Sequence, residues 1–133
     1  MKAHFLGIAL LGLGACRADV VRGEEMEAAQ AAVTTIDAES LKAMLDGADA
    51  PLLIDVRTPE EYAEGHIEGA RLMPLATFDP AALDGENVVL YCRSARRSGE
   101  AARMLADHRG AAVRHLEGGI NAWKSAGYAV VTP

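Results

Sequence analysis

Uninterrupted apolar runs alternate along this chain with segments whose apolar residues recur at helical spacing. Leu52-Leu53-Ile54, leading into Asp55-Val56-Arg57, and Val88-Val89-Leu90-Tyr91, leading into Cys92, are β-forming runs without polar alternation. Such runs predict strands buried on both faces of a parallel sheet. Val33-Thr34-Thr35 reads as an edge strand, Arg71-Leu72-Met73 as a short one ended by Pro74, and Ala111 to Leu116 as a last strand. Between them lie helix signals. Asp37 can cap a helix while Ile36 staples onto Leu41, and Leu41, Met44 and Leu45 give it a narrow apolar face before Gly47. Thr58-Pro59-Glu60-Glu61 opens another, with Thr58 as cap, Pro59 in the first position, Glu61 as capping-box partner and Gly65 as stop. From Ser98 the spacing of Ala101, Met104 and Leu105 is helical, and Glu117-Gly118-Gly119 turns the chain into a last helix, Ile120 to Ala126. Trp123 faces the core from that helix, and Gly127 ends it. Leu75 to Gly85 is loop with a helical turn at Ala81 to Leu83. The pattern predicts an α/β fold, a parallel sheet with helices on both faces.

The N-terminus has a different pattern. Lys2 supplies a positive start, and Phe5 to Ala15 is an apolar run of eleven residues, too short to span a bilayer. It reads as a signal peptide. Leu13-Gly14-Ala15-Cys16 resembles the lipobox of bacterial lipoproteins, which implies lipidation of Cys16 and membrane attachment through it. Residues 17–32 hold few large apolar side chains and read as a tether. The expected organisation is thus residues 1–15 as signal peptide, 16–32 as lipidated cysteine and tether, and 33–133 as the folded domain. Arg17, where Asp resembles an inner-membrane retention signal, favours an outer-membrane, periplasm-facing address.

With 133 residues, half of them hydrophobic, the chain has material for one domain with a substantial core. Its formal charge of −6 argues against nucleic acid as a partner. Loss of residues 1–15 would remove Lys2 alone among charged side chains, leaving 12 basic against 19 acidic residues, net −7.

Positive charge is instead local. Cys92 is followed by Arg93, Ser94, Ala95, Arg96 and Arg97, in the stretch that must turn a strand into a helix. Backbone N–H groups of such a turn converge, the helix dipole adds positive potential, and guanidinium groups grip oxyanions. A thiol there is pushed toward thiolate and can act as a nucleophile on an anionic substrate. Asp55 and Arg57 are charged residues at the end of a strand that reads as central, and need partners if buried. The expectation is that Asp55 holds Arg97, with Arg57 in a similar network supporting the loop. If Cys16 is lipidated, Cys92 is the one free thiol, which removes an internal disulfide, a cysteine metal site and a resolving cysteine. His108 and His115 stand in no metal-ligand spacing and receive no role, so neither metal nor cofactor is expected.

Four stretches together resemble the rhodanese family of sulfurtransferases: Leu53 to Arg57, Glu64 to Pro74, Cys92 to Arg97 and Leu116 to Gly127. The family's active-site loop begins with Cys and closes at its sixth residue with Arg or a small polar residue, which Cys92 to Arg97 fits. The resemblance covers nearly all the chain after residue 33, Tyr128-Ala129 being a departure remote from the loop. It implies a single-domain, monomeric member in which Cys92 takes sulfane sulfur from an anionic donor such as thiosulfate, holds it as a persulfide and passes it to a thiophilic acceptor, cyanide or a thiol. Residues 93 to 97 would bind the donor. The resemblance also places His66 in a structural motif away from the sulfur, against a general-base role. Two other classes compete: a non-enzymatic module binding a partner protein or polysulfide, and a cysteine-dependent phosphatase or arsenate reductase. The last needs a loop one residue longer, and the position of its arginine is here Ser98.

Overall fold

The computed structural model describes residues 32–133. The expected signal peptide, Cys16 and the expected tether up to residue 31 lie outside the described residues.

Five strands form one sheet: β1 (Val33–Ile36), β2 (Leu52–Asp55), β3 (Arg71–Leu72), β4 (Val88–Tyr91) and β5 (Val113–Leu116). Their order is β1-β5-β4-β2-β3, and every pairing between them is parallel. The two apolar runs do form the sheet's interior: all four residues of β4 are buried, as are Leu53, Ile54 and Asp55 of β2. Val33–Ile36 is the edge strand the pattern predicts.

Side-chain alternation divides the core in two, one cluster on each face of the sheet. On one face Ile54, Val56, Val88, Leu90 and Cys92 pack against Ala101, Ala102, Leu105 and Ala106 of the long helix α3 (Arg96–Arg109), with Phe78 and Leu83 closing its edge. On the other, Leu53, Val89, Tyr91 and Leu116 pack against Leu41 of α1 (Ala38–Leu45) and Ile120 and Trp123 of α4 (Gly119–Ser125). Helices therefore cover both faces, and the expected α/β class is the one observed.

Local signals explain the helix ends. Asp37 accepts the Ser40 N–H at 2.7 Å to start α1. A full capping box of Thr58 and Glu61 with Pro59 in the first turn starts α2 (Pro59–Glu64). Gly110, at φ +64°, ends α3. The helix begins at Arg96, two residues earlier than Ser98, so Arg96 and Arg97 belong to its first turn and not to a free loop. Trp123 is buried and donates its indole N–H to the Ala129 carbonyl, which ties the C-terminal segment down. His66 is also structural: its ring stacks on Tyr62, and its backbone pairs with Val131.

The topology positions the site. From β2 the chain runs to β3 on one side of the sheet and then returns to β4 on the other, so strand order reverses between β2 and β4. The crevice beyond the C-terminal ends of two such strands is where open parallel sheets bind ligands. Asp55 and Tyr91 are register partners there, and Cys92 is the next residue.

Candidate active site

Cys92 leaves the end of β4 with its side chain on the α3 face, 1% exposed. The chain then reverses within three residues. Ala95 makes the bend at φ +139°, the one non-glycine residue with positive φ among the described residues. That backbone points the Ala95 N–H at Cys92 Sγ, 3.2 Å away. Ser98, in the first turns of α3 and fully buried, places its hydroxyl 3.5 Å from the same sulfur.

From behind, the loop is held by α4. The Ile120 N–H donates to the Cys92 carbonyl at 2.9 Å and the Asn121 N–H to the Arg93 carbonyl at 3.2 Å. These amides are unsatisfied groups of a helix start, and by binding the loop's carbonyls they leave its N–H groups free to face the sulfur. Gly119 permits this approach. A Cβ on Gly119 would lie 2.5 Å from the Cys92 and Arg93 carbonyl oxygens.

Two opposed influences act on the thiol. Burial pushes Cys92 up, while bonds from the Ser98 hydroxyl and from the N–H groups of Ser98, Ser94 and Ala95 push it down and prevail, leaving it below its ordinary value. The sequence predicts that converging backbone N–H groups act on this thiol and that the arginines strengthen their effect. Backbone amides are indeed on the sulfur, joined by a serine hydroxyl, while Arg96 and Arg97 are engaged elsewhere. Arg93 is exposed, Arg96 is exposed and paired with Glu100, and Arg97 turns to Glu61.

The expected Asp55–Arg97 pair is not formed. Asp55 takes its own neighbour: Arg57 Nε lies 3.0 and 3.1 Å from the two carboxylate oxygens and Nη2 2.7 Å from Oδ2, while Nη2 also donates to the Gly65 carbonyl. Residues two apart leaving a strand point the same way, which gives Arg57 the advantage over any residue of α3. Both charges are buried, and the guanidinium lies over the Tyr91 ring. Arg97 makes a two-pronged pair with Glu61 of α2, at 2.7 and 2.9 Å. Bonding to Arg97 holds the Glu61 carboxyl down at about 2. The structure thus brings Asp55 and Arg57 together below the loop, Cys92 and Ala95 at its floor, and Arg97 at its rim. Cys16 lies outside the described residues.

Three contributors escaped the sequence reading. Glu61 registers only as a capping residue, Ser98 only as the start of helical spacing and a position without arginine, and His115 only as a histidine outside metal-ligand spacing. His115 Nδ1 lies 2.9 Å from Ser98 Oγ, and the ring is buried. The one available signal was strand parity: His115 stands two residues after Val113, so it shares the face on which Cys92 lies.

A cysteine at the switch point of a parallel α/β sheet, with amides and a hydroxyl on its sulfur, defines a class of domain fitted to sulfur nucleophile chemistry. Known proteins agree. The family model described as "Rhodanese-like domain" matches residues 37–126. A protein of Allochromatium vinosum named "Sulfurtransferase" is 38% identical over 104 residues, covering 76% of this chain and 97% of that one. An uncharacterised protein of Synechocystis is 43% identical over 86 residues, covering 62% of this chain and 48% of its own length. The crystal structure of a rhodanese-related protein from Thermoplasma volcanium superposes with a TM-score of 0.67 at 27% identity, over 75% of this chain and 99% of that one. This chain belongs to the rhodanese-like family.

Proposed function

We propose that the protein is a thiosulfate-type sulfurtransferase working through a Cys92 persulfide. The observation that carries the reading is the placement of the Ala95 N–H on Cys92 Sγ inside a loop that closes at Arg97. In the first step the Cys92 thiolate attacks the outer sulfur of thiosulfate; the new S–S bond forms as the old one breaks, and sulfite leaves with the electron pair. In the second a thiophilic acceptor, cyanide or a thiolate, takes the outer sulfur and the Cys92 thiolate returns. N–H groups of the bend stabilise the negative sulfur in both forms, and residues 93 to 97, chiefly Arg93 and Arg96, attract the anionic donor. Two findings count against the phosphatase alternative: the loop is one residue too short, and Arg97 is occupied by Glu61.

The test is thiocyanate formation from thiosulfate and cyanide, with a phosphate ester run alongside. Thiocyanate above the buffer rate without phosphate release is expected, and Cys92→Ala should abolish it; a variant as fast as wild type would overturn the assignment. A protein that binds polysulfide without turning over either substrate would be the binding module instead.

The address belongs to the same reading. With residues 1–15 removed and Cys16 lipidated, the domain would hang from a membrane surface facing the periplasm, the outer membrane favoured by Arg17, and act as a monomer. The protein should then partition into detergent and migrate faster than a Cys16→Ser variant that retains its signal peptide. Equal behaviour of the two excludes the anchor.

A further inference from the structure

Three buried side chains form a line through the α3 face of the sheet: Cys92 at the end of β4, Ser98 on α3 and His115 on β5. Sγ to Oγ is 3.5 Å, and Oγ to Nδ1 is 2.9 Å. Beyond His115 lies an open cleft of about 600 Å³ lined by Val33, Ala95, Gly99, Met104 and His115, with Arg96, Glu100, Arg103 and Asp107 of α3 among its walls. A Cβ on Gly99 would stand 3.5 Å from His115 Cε1 and 4.0 Å from Nε2, so the small residue leaves the far side of the ring uncovered by α3.

We propose that His115 is a positioning residue for Cys92, acting through the Ser98 hydroxyl, and that the three groups form a proton relay ending in this cleft. The proposal deepens the sulfurtransferase reading and rests on it only in taking Cys92 as the nucleophile.

The proton balance follows from what each group can donate. A serine hydroxyl has one proton, and here it stands among three acceptors: the sulfur, His115 Nδ1 and the Ala95 carbonyl at 3.1 Å. With Cys92 as thiol, S–H donates to Ser98 Oγ and the hydroxyl donates to Nδ1, so the neutral ring carries its proton on Nε2. On ionisation the S–H proton moves to Ser98 Oγ while the serine's own proton moves to Nδ1. The ring then loses its Nε2 proton to water in the cleft. The result is a thiolate receiving the Ser98 hydroxyl, which in turn receives the Nδ1–H. One proton has left, no other bond has changed, and the imidazole has exchanged one neutral tautomer for the other. The negative sulfur is a stronger acceptor than the Ala95 carbonyl, which keeps the hydroxyl turned toward it.

Burial lowers His115, which keeps the ring neutral at neutral pH as the relay requires. The charged groups on this side are Arg96, Glu100, Arg103 and Asp107, two of each sign, all from α3. Its strand neighbours in register are Thr35 of β1 and Leu90 of β4, which carry no charge.

The experiment follows the His115 ring nitrogens by ¹⁵N NMR in the full-length protein across pH, beside the rate of Cys92 alkylation by iodoacetamide. The expected result is a change from the Nε2–H to the Nδ1–H tautomer with the midpoint of Cys92 alkylation, and its loss once Cys92 is carboxamidomethylated. A tautomer that stays constant through the Cys92 midpoint, or that still switches with the sulfur blocked, overturns the relay. Ser98→Ala should slow alkylation below the midpoint about tenfold, as loss of a bond to a charged group does. Adding His115→Phe to it should slow it no further; an additive effect would also overturn the relay. Neither readout uses a sulfur donor, so absent thiocyanate formation and an absent tautomer switch fail separate claims.

Discussion

Gly119 has no room for a side chain. It stands at φ +59° with the Cys92 and Arg93 carbonyls where a Cβ would go, so Gly119→Ala must push α4 off the loop or the loop off the sulfur. We expect about 1–3 kcal/mol of destabilisation by urea unfolding, as for overpacking elsewhere, and a loss of sulfur transfer larger than that accounts for. Unchanged turnover would mean that the clamp does not set the loop. The cluster of Cys92 with three arginines was legible in the sequence because a thiol among cationic residues is a statement about residue types. The partners were not, since Arg97 finds Glu61 across 36 positions and Ser98 finds His115 across 17, distances that only the packed sheet closes. Asp55 and Arg57 could have been paired from strand parity alone.

At the scale of elements, the Arg97–Glu61 pair joins the first turns of α2 and α3. Glu61 is held at about 2, against 4.5 for the free group, so the folded state prefers the ionised carboxylate. Stability from this pair is complete above pH 4.5 and is lost as pH falls toward 2. Both side chains remain about one-fifth exposed, so solvent screening leaves a contribution of about 1–2 kcal/mol. Urea unfolding at successive pH values should show that decline in the wild type and a correspondingly shallower one in Glu61→Gln. Identical slopes would show that the pair contributes nothing. Which elements exist could be read from the apolar runs and caps. Where α3 begins could not, because Ala95 adopts a backbone that its residue type disfavours, and the helix starts directly behind that bend.

On the scale of the whole molecule, a chain of net charge −6 carries two exposed arginines, Arg93 and Arg96, close in sequence to Cys92. On the proposed reading, an anionic donor would be repelled by the net charge and attracted by these two side chains. The attraction is screened over about 10 Å at 0.1 M ionic strength, so the KM for thiosulfate should rise with salt. In Arg93→Ala and Arg96→Ala it should start higher and rise less, with kcat little changed. A KM independent of salt in all three proteins would remove these residues from donor capture.

The bonds from Ile120 and Asn121 to the carbonyls of Cys92 and Arg93 also have a meaning in time. Synthesis delivers Cys92 before the segment that clamps it, since β5, Gly118, Gly119 and α4 all follow it in the chain. Until they dock, the Cys92 and Arg93 carbonyls lack these two partners, and the bend is held from the α3 side alone. The complete surroundings of the thiol therefore require the whole domain. A chain whose clamp has not yet been made should carry Cys92 in a form slower to react with passing oxidants and disulfides than the folded domain does.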